Sequence, residues 1–141
     1  MGNMFADARS FNSPIDDWET GSVRTIEYMF DGAESFDKSI ASWDVSNVVD
    51  MRGLFRNAIK FNQPLDDWDI SSVADFSIVF FNASSFNQPL NHWNVSSVTK
   101  LEGTFYLASA FNQALDEWDV SSVTNMWTLF QNASSFNQPI G

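Results

Sequence analysis

The chain has no cysteine, one histidine and only 7 Lys+Arg among 141 residues. Without cysteine there are no disulfides and no thiolate metal sites, although their lack leaves the cellular compartment open. The scarcity of basic residues is set against 18 Asp+Glu, a formal net charge of −11. Nucleic acids and anionic membranes both demand a basic footprint, so neither is an expected partner. No apolar run approaches the roughly 18 residues of a spanning helix. Met1 to Phe11 also lacks the continuous apolar stretch of a signal peptide. What is present is 44% hydrophobic and 16% aromatic residues, too much apolar surface for a disordered chain.

The aromatics recur at a fixed interval. Trp18, Trp43, Trp68, Trp93 and Trp118 lie 25 residues apart, as do Phe5, Phe30, Phe55, Phe80, Phe105 and Phe130. Phe11 to Phe136, Val23 to Val123 and Ile15 to Ile140 follow the same period without an insertion. Such self-similarity marks a repeat protein. One array is expected over 1–141, with units 1–25, 26–50, 51–75, 76–100 and 101–125 and a partial unit 126–141. Neither end shows a polar cap, so the chain reads as an excerpt of a longer array. Positions within a unit are numbered below as phases, Met1, Ile26 and Met51 being phase 1.

Within the unit, Val123, Met126, Phe130 and Ala133 fall at i, i+3, i+7 and i+10, the spacing of a helix face. Ser121 or Ser122 is placed to cap its start. Gly32, Asn57, Asn82 and Asn132 tolerate the left-handed conformation that closes a helix, and Leu107 departs from that series. A helix of about ten residues is therefore expected. The prolines Pro14, Pro64, Pro89 and Pro139 precede an extended segment or short strand around Leu65 to Trp68 and its equivalents. Asn12, Asn62, Asn87, Asn112 and Asn137, with Asp37 substituting once, predict a stacked asparagine ladder. Extended segments stack at about 4.8 Å and helices at about 8–10 Å, so the expected fold is an α/β repeat solenoid, a leucine-rich-repeat-like curved stack with helices outside.

The run Trp-Asp-Val-Ser-Ser-Val-Thr-Asn-Met at residues 118–126, followed by Leu129-Phe130 and Asn132-Ala133-Ser134-Ser135-Phe136, resembles the BspA-like family of bacterial surface repeats, also found in mycoplasma lipoproteins. The resemblance implies a leucine-rich-repeat-like solenoid at the cell surface, used for adhesion or recognition. It supplies no catalytic motif and no defined ligand.

Positions that every unit shares are scaffold, so function is sought where the units differ. Three outward phases vary: Glu27, Arg52, Ser77, Glu102 and Trp127; Tyr28, Gly53, Ile78, Gly103 and Thr128; Asp31, Arg56, Phe81, Tyr106 and Gln131. From these, Tyr28, Arg52, Arg56, Ile78, Phe81, Glu102, Tyr106 and Trp127 are the candidate binding residues, because aromatic and arginine anchors dominate interfaces. The expected function is non-enzymatic recognition of a protein or glycan at the cell surface, outside the cell, with no membrane insertion. Drift on an exposed face and a plain spacer or stalk are the alternatives. Asp16-Asp17, Asp66-Asp67 and Asp116-Glu117, with Glu19, Asp44, Asp69 and Asp119, form acidic turns that Ca²⁺ could bridge. Ala41-Ser42, Asn91-His92 and Asn94 interrupt those columns, which favours a solvated acidic edge. His92 has no nucleophile or metal cluster around it, and no enzyme chemistry or cofactor is expected. Oligomeric state is left open.

Overall fold

The computed structural model describes residues 1–139; Ile140, at the end of the leucine column, and Gly141 lie outside the described residues. The 25-residue units stack on one another, but the expected helix is absent. Among the described residues there is no helix, and the β-structure is one residue per coil: parallel bridges link Thr25, Asp50, Asp75, Lys100 and Asn125. The α/β solenoid reading is therefore corrected: each coil is a succession of tight turns.

Backbone torsion explains the correction. Phase 3 (Asn3, Tyr28, Gly53, Ile78, Gly103, Thr128) and phase 7 (Asp7, Gly32, Asn57, Asn82, Leu107, Asn132) both hold positive φ, between 50° and 69°. A left-handed residue every fourth position stops a right-handed helix from propagating. Met29 N–H donates to Ile26 O (3.2 Å) and Ala33 N–H to Phe30 O (3.0 Å), each across a turn with a positive φ at its third residue. That is the pattern of type II turns.

The alternate N–H groups point to the next coil. Ile26, Tyr28, Phe30 and Gly32 donate to Asp50, Arg52, Leu54 and Arg56 carbonyls at 3.2, 2.8, 3.0 and 2.8 Å, and each later coil repeats this. Turn and inter-coil bonds thus take up most amides of this stretch, and the N–H groups of Glu27, Arg52, Ser77 and Trp127 donate instead to the side-chain oxygen two residues before them. Direct coil-to-coil hydrogen bonding on this side removes the 8–10 Å separation that helices would impose. The reason to expect a wedge-shaped, curved stack goes with it.

The core is a set of aromatic columns. Phe5, Phe30, Phe55, Phe80, Phe105 and Phe130 stack with centroids 5.5–5.7 Å apart. Within each coil the second phenylalanine lies 3.9–4.2 Å from the first, nearly parallel to it. Each stacked pair adds about 0.5–1.5 kcal/mol beyond the area it buries. The opposite side is tied by tryptophan. Indole N–H groups of Trp43, Trp68, Trp93 and Trp118 donate to the Ile15, Ile40, Leu65 and Leu90 carbonyls of the preceding coil at 2.9–3.1 Å. The large ring fills the core while its one polar atom joins two coils.

The asparagine ladder is present. Asp37, Asn62, Asn87, Asn112 and Asn137 each donate a backbone N–H to the side-chain oxygen of the preceding residue in the series at 2.9–3.0 Å. Gln63, Gln88, Gln113 and Gln138 reinforce it, their amide nitrogens reaching the same oxygens at 2.8–3.0 Å.

Candidate functional site

Phases 1, 4, 5 and 8 turn inward, so phases 2, 3 and 6 face out. Met51, Leu54, Phe55 and Ala58 are fully buried, whereas Arg52 and Arg56 keep side-chain exposures of 39% and 41%. All eight candidate residues lie on this face. Seven are half-buried and Trp127 is 72% exposed. The face belongs to a ribbon of turns rather than to helices, which alters what each residue does. Tyr28 and Ile78 occupy left-handed backbone at φ 50°. Ser77, expected to point outward, is buried to 7% exposure.

The structure gathers these residues into contacts running up the stack. The Arg52 guanidinium lies 5.6 Å from the centre of the Tyr28 ring and 2.6 Å from the Glu27 carboxylate. Its Nε is buried without a hydrogen-bond partner among the described residues. The guanidinium's hydrogen bond to the Glu27 carboxylate, opposed by some burial, raises the Arg52 pKa above its ordinary value. Four units share a second column: Asp31 to Arg56 at 3.2 Å, Arg56 over Phe81 at 5.8 Å, and Phe81 on Tyr106 at 4.7 Å with rings 8° apart. Both faces of Phe81 are thereby occupied.

Phase 3 alternates large and small. A Cβ on Gly53 would lie 2.4 Å from the Tyr28 ring, and one on Gly103 3.1 Å from Ile78 Cγ2. Each bulky side chain therefore lies in the space left by the glycine of the next coil. Ile78, Arg52 and Glu102 border an open cleft of about 290 Å³ with Asp75, Ser77, Lys100 and Asn125. Within it Lys100 pairs with Asp75 at 3.2 Å and the Asn125 amide donates to the Glu102 carboxylate at 2.8 Å. Burial alone would raise the Asp75 pKa, but hydrogen bonds from Ser77 and Lys100 outweigh it and hold the carboxyl below its ordinary value. Asp75 and Lys100 are not among the candidates from sequence; the signal that marks them is the change of charge along phase 25, from Asp50 and Asp75 to Lys100.

The acidic turns have a local explanation. Asp44, Asp69 and Asp119 each accept the N–H of the serine two residues on at 3.0 Å, and Asn94 does the same at 3.1 Å. Serine hydrogen bonds, side chain first and then backbone, lower the pKa of the three aspartates. Among the described residues no group of three or more acidic or histidine side chains is placed to hold a metal ion. His92 Nδ1 lies 3.1 Å from Glu117, with both side chains exposed. A second cavity, about 280 Å³, is bordered by Leu101, Leu115, Trp118, Val120, Met126, Leu129 and Phe130 with Asp116. Apart from Asp116 these are the phases that form the core of the preceding coils.

Stacked coils with one conserved aromatic interior and one varied exterior define a repeat protein. The family model for the Mycoplasma protein of unknown function DUF285 matches residues 1–84 and 63–141, and the chain belongs to that family. No curated relative and no solved structure matches the chain.

Proposed function

We propose that the chain is a non-enzymatic recognition module of a cell-surface protein, related to the BspA-like surface repeats, that binds a protein or glycan partner through phases 2, 3 and 6. The observation that carries this reading is the partial exposure of Tyr28, Phe81 and Tyr106 with Arg52 and Arg56 on one face, beside the open Trp127. Aromatic and arginine side chains held rigidly at a surface lose little entropy on binding and supply large contact area. The surface setting rests on the resemblance of residues 118–136 to the BspA-like surface repeats. The test is capture of host cells and a glycan array by the intact chain. Tyr106→Ala with Trp127→Ala should reduce capture at least tenfold and leave the melting temperature within a few degrees of the parent. Unchanged capture, or a collapse in stability, rejects the assignment.

A spacer role is the second reading, favoured by a specific observation: many of the varied side chains are engaged with the neighbouring coil. On that reading no probe is captured by either protein, and only the number of coils matters.

A further inference from the structure

In a stack with interchangeable core columns, any coil should fit on any other. The same phenylalanine, tryptophan and asparagine contacts recur at each junction. The varied phases do not recur in this way. Among the described residues, five of the six ion pairs join equal phases of consecutive coils: Arg9 to Glu34, Glu27 to Arg52, Asp31 to Arg56, Asp75 to Lys100 and His92 to Glu117. Where the ion pairs of the Asp31 column end, Arg56 continues it over Phe81, and Phe81 over Tyr106. Beside them phase 3 alternates, with Tyr28 over Gly53 and Ile78 over Gly103.

We infer that these varied phases specify coil order: each junction is matched sterically and electrostatically to its own two coils. The inference goes beyond partner recognition and stands whether or not a partner binds. Backbone strain argues the same way. Tyrosine and isoleucine are poor residues at φ 50°, so their presence there calls for a compensating fit. Opposed bulk is the sharper device. Were 76–100 to stack directly on 26–50, Ile78 would take the place of Gly53, where even a Cβ falls 2.4 Å from the Tyr28 ring. Glu27 and Asp31 would at the same time face Ser77 and Phe81 and lose their arginines.

Three deletions of one exact unit test this, since each removes 25 residues and one set of core contacts. Deleting 26–50 sets Gly53 against Asn3. Deleting 76–100 sets Gly103 against Gly53, with Glu102 facing Arg52 and Tyr106 facing Arg56. Deleting 51–75 sets Ile78 against Tyr28. The 51–75 deletion should melt at least 5 °C below both others, or fail to fold while they fold. Tyr28→Gly should then raise its melting temperature, or restore folding, and should help the full chain less. Because the chain has no native cysteine, Asn47→Cys with Ser97→Cys should cross-link in the rescued 51–75 deletion and not in the full chain. Equal melting of the three deletions, or an equal effect of Tyr28→Gly in both backgrounds, overturns the inference.

Discussion

Leu107 sits at φ 57°, in a column where Asn57, Asn82 and Asn132 occupy the same backbone state, and it is 37% exposed. A side chain with a Cβ costs about 1–2 kcal/mol in the left-handed region, less for asparagine, which bonds locally. Asn82 also donates its side-chain amide to Asn57 Oδ1 at 3.0 Å, a bond that leucine cannot continue. Leu107→Asn should therefore stabilise the chain by about 1 kcal/mol, read as a higher midpoint in urea with an unchanged slope. Gly53→Ala should do the opposite, because alanine is strained at φ 63° and its Cβ meets the Tyr28 ring. Combining it with Tyr28→Ala should recover part of the loss. Additive effects of the two substitutions would show that they do not touch.

At the scale of the coil, the asparagine ladder separates geometry from charge. Asn87 Oδ1 accepts the Asn112 N–H at 2.9 Å and the Gln113 amide at 3.0 Å. Asn87→Ala leaves both donors without that acceptor and should cost about 1–3 kcal/mol. Asp37 already fills the same role, accepting from Asn62 and Gln63, so Asn87→Asp should cost much less at neutral pH. The serine turns obey a related logic. A carboxyl whose folded pKa is lowered adds stability above its unfolded pKa and loses it as pH falls through the folded one. For Asp44, Asp69 and Asp119 that loss begins near the ordinary carboxylate value of about 3.9 and continues below it. Asn94 makes the same turn without a titrating group. Asp44→Asn with Asp69→Asn should then flatten the acid limb of a melting-temperature profile below about pH 4 while changing it little at pH 7. How far such a coil can be read in advance follows from what a pattern reports. Inward phases such as those of Met51 and Phe55, the ladder from Asn12 and the outward set from Tyr28 to Trp127 were legible, because periodicity records which side faces the core. It is blind to where the N–H groups go. A ribbon of turns and a helix give the same stripe here, and the decisive signal was Gly53 and Gly103 in what would have been a helix interior, where glycine costs about 1 kcal/mol each.

Across the whole molecule, charge is distributed more unevenly than the total of −11 conveys. Asp16, Asp17, Glu19, Asp44, Asp66, Asp67, Asp69, Asp116, Glu117 and Asp119 lie between phases 14 and 23, a span that contains no lysine or arginine in any of the five full units. The stack aligns these phases into one acidic edge, and Asp44 raises the cost of ionising Asp69 in the next coil. All seven Lys and Arg belong to the other phases, where four of them form ion pairs with the neighbouring coil. Salt acts on both sets in opposite directions. Exposed pairs are worth about 0.2–1 kcal/mol each and weaken with screening, whereas repulsion along an unpaired edge is relieved by it. With more like-charged neighbours than pairs, relief wins, so the melting temperature should rise from 10 to 150 mM NaCl, as the Debye length shrinks from about 30 to 8 Å. The same titration decides the role of calcium. CaCl₂ matched to NaCl in ionic strength should give the same rise, because Asp44, Asp69 and Asp119 already accept serine N–H donors and, among the described residues, no three acidic groups are placed to hold one ion; an additional rise that a chelator reverses would show that the edge binds the ion.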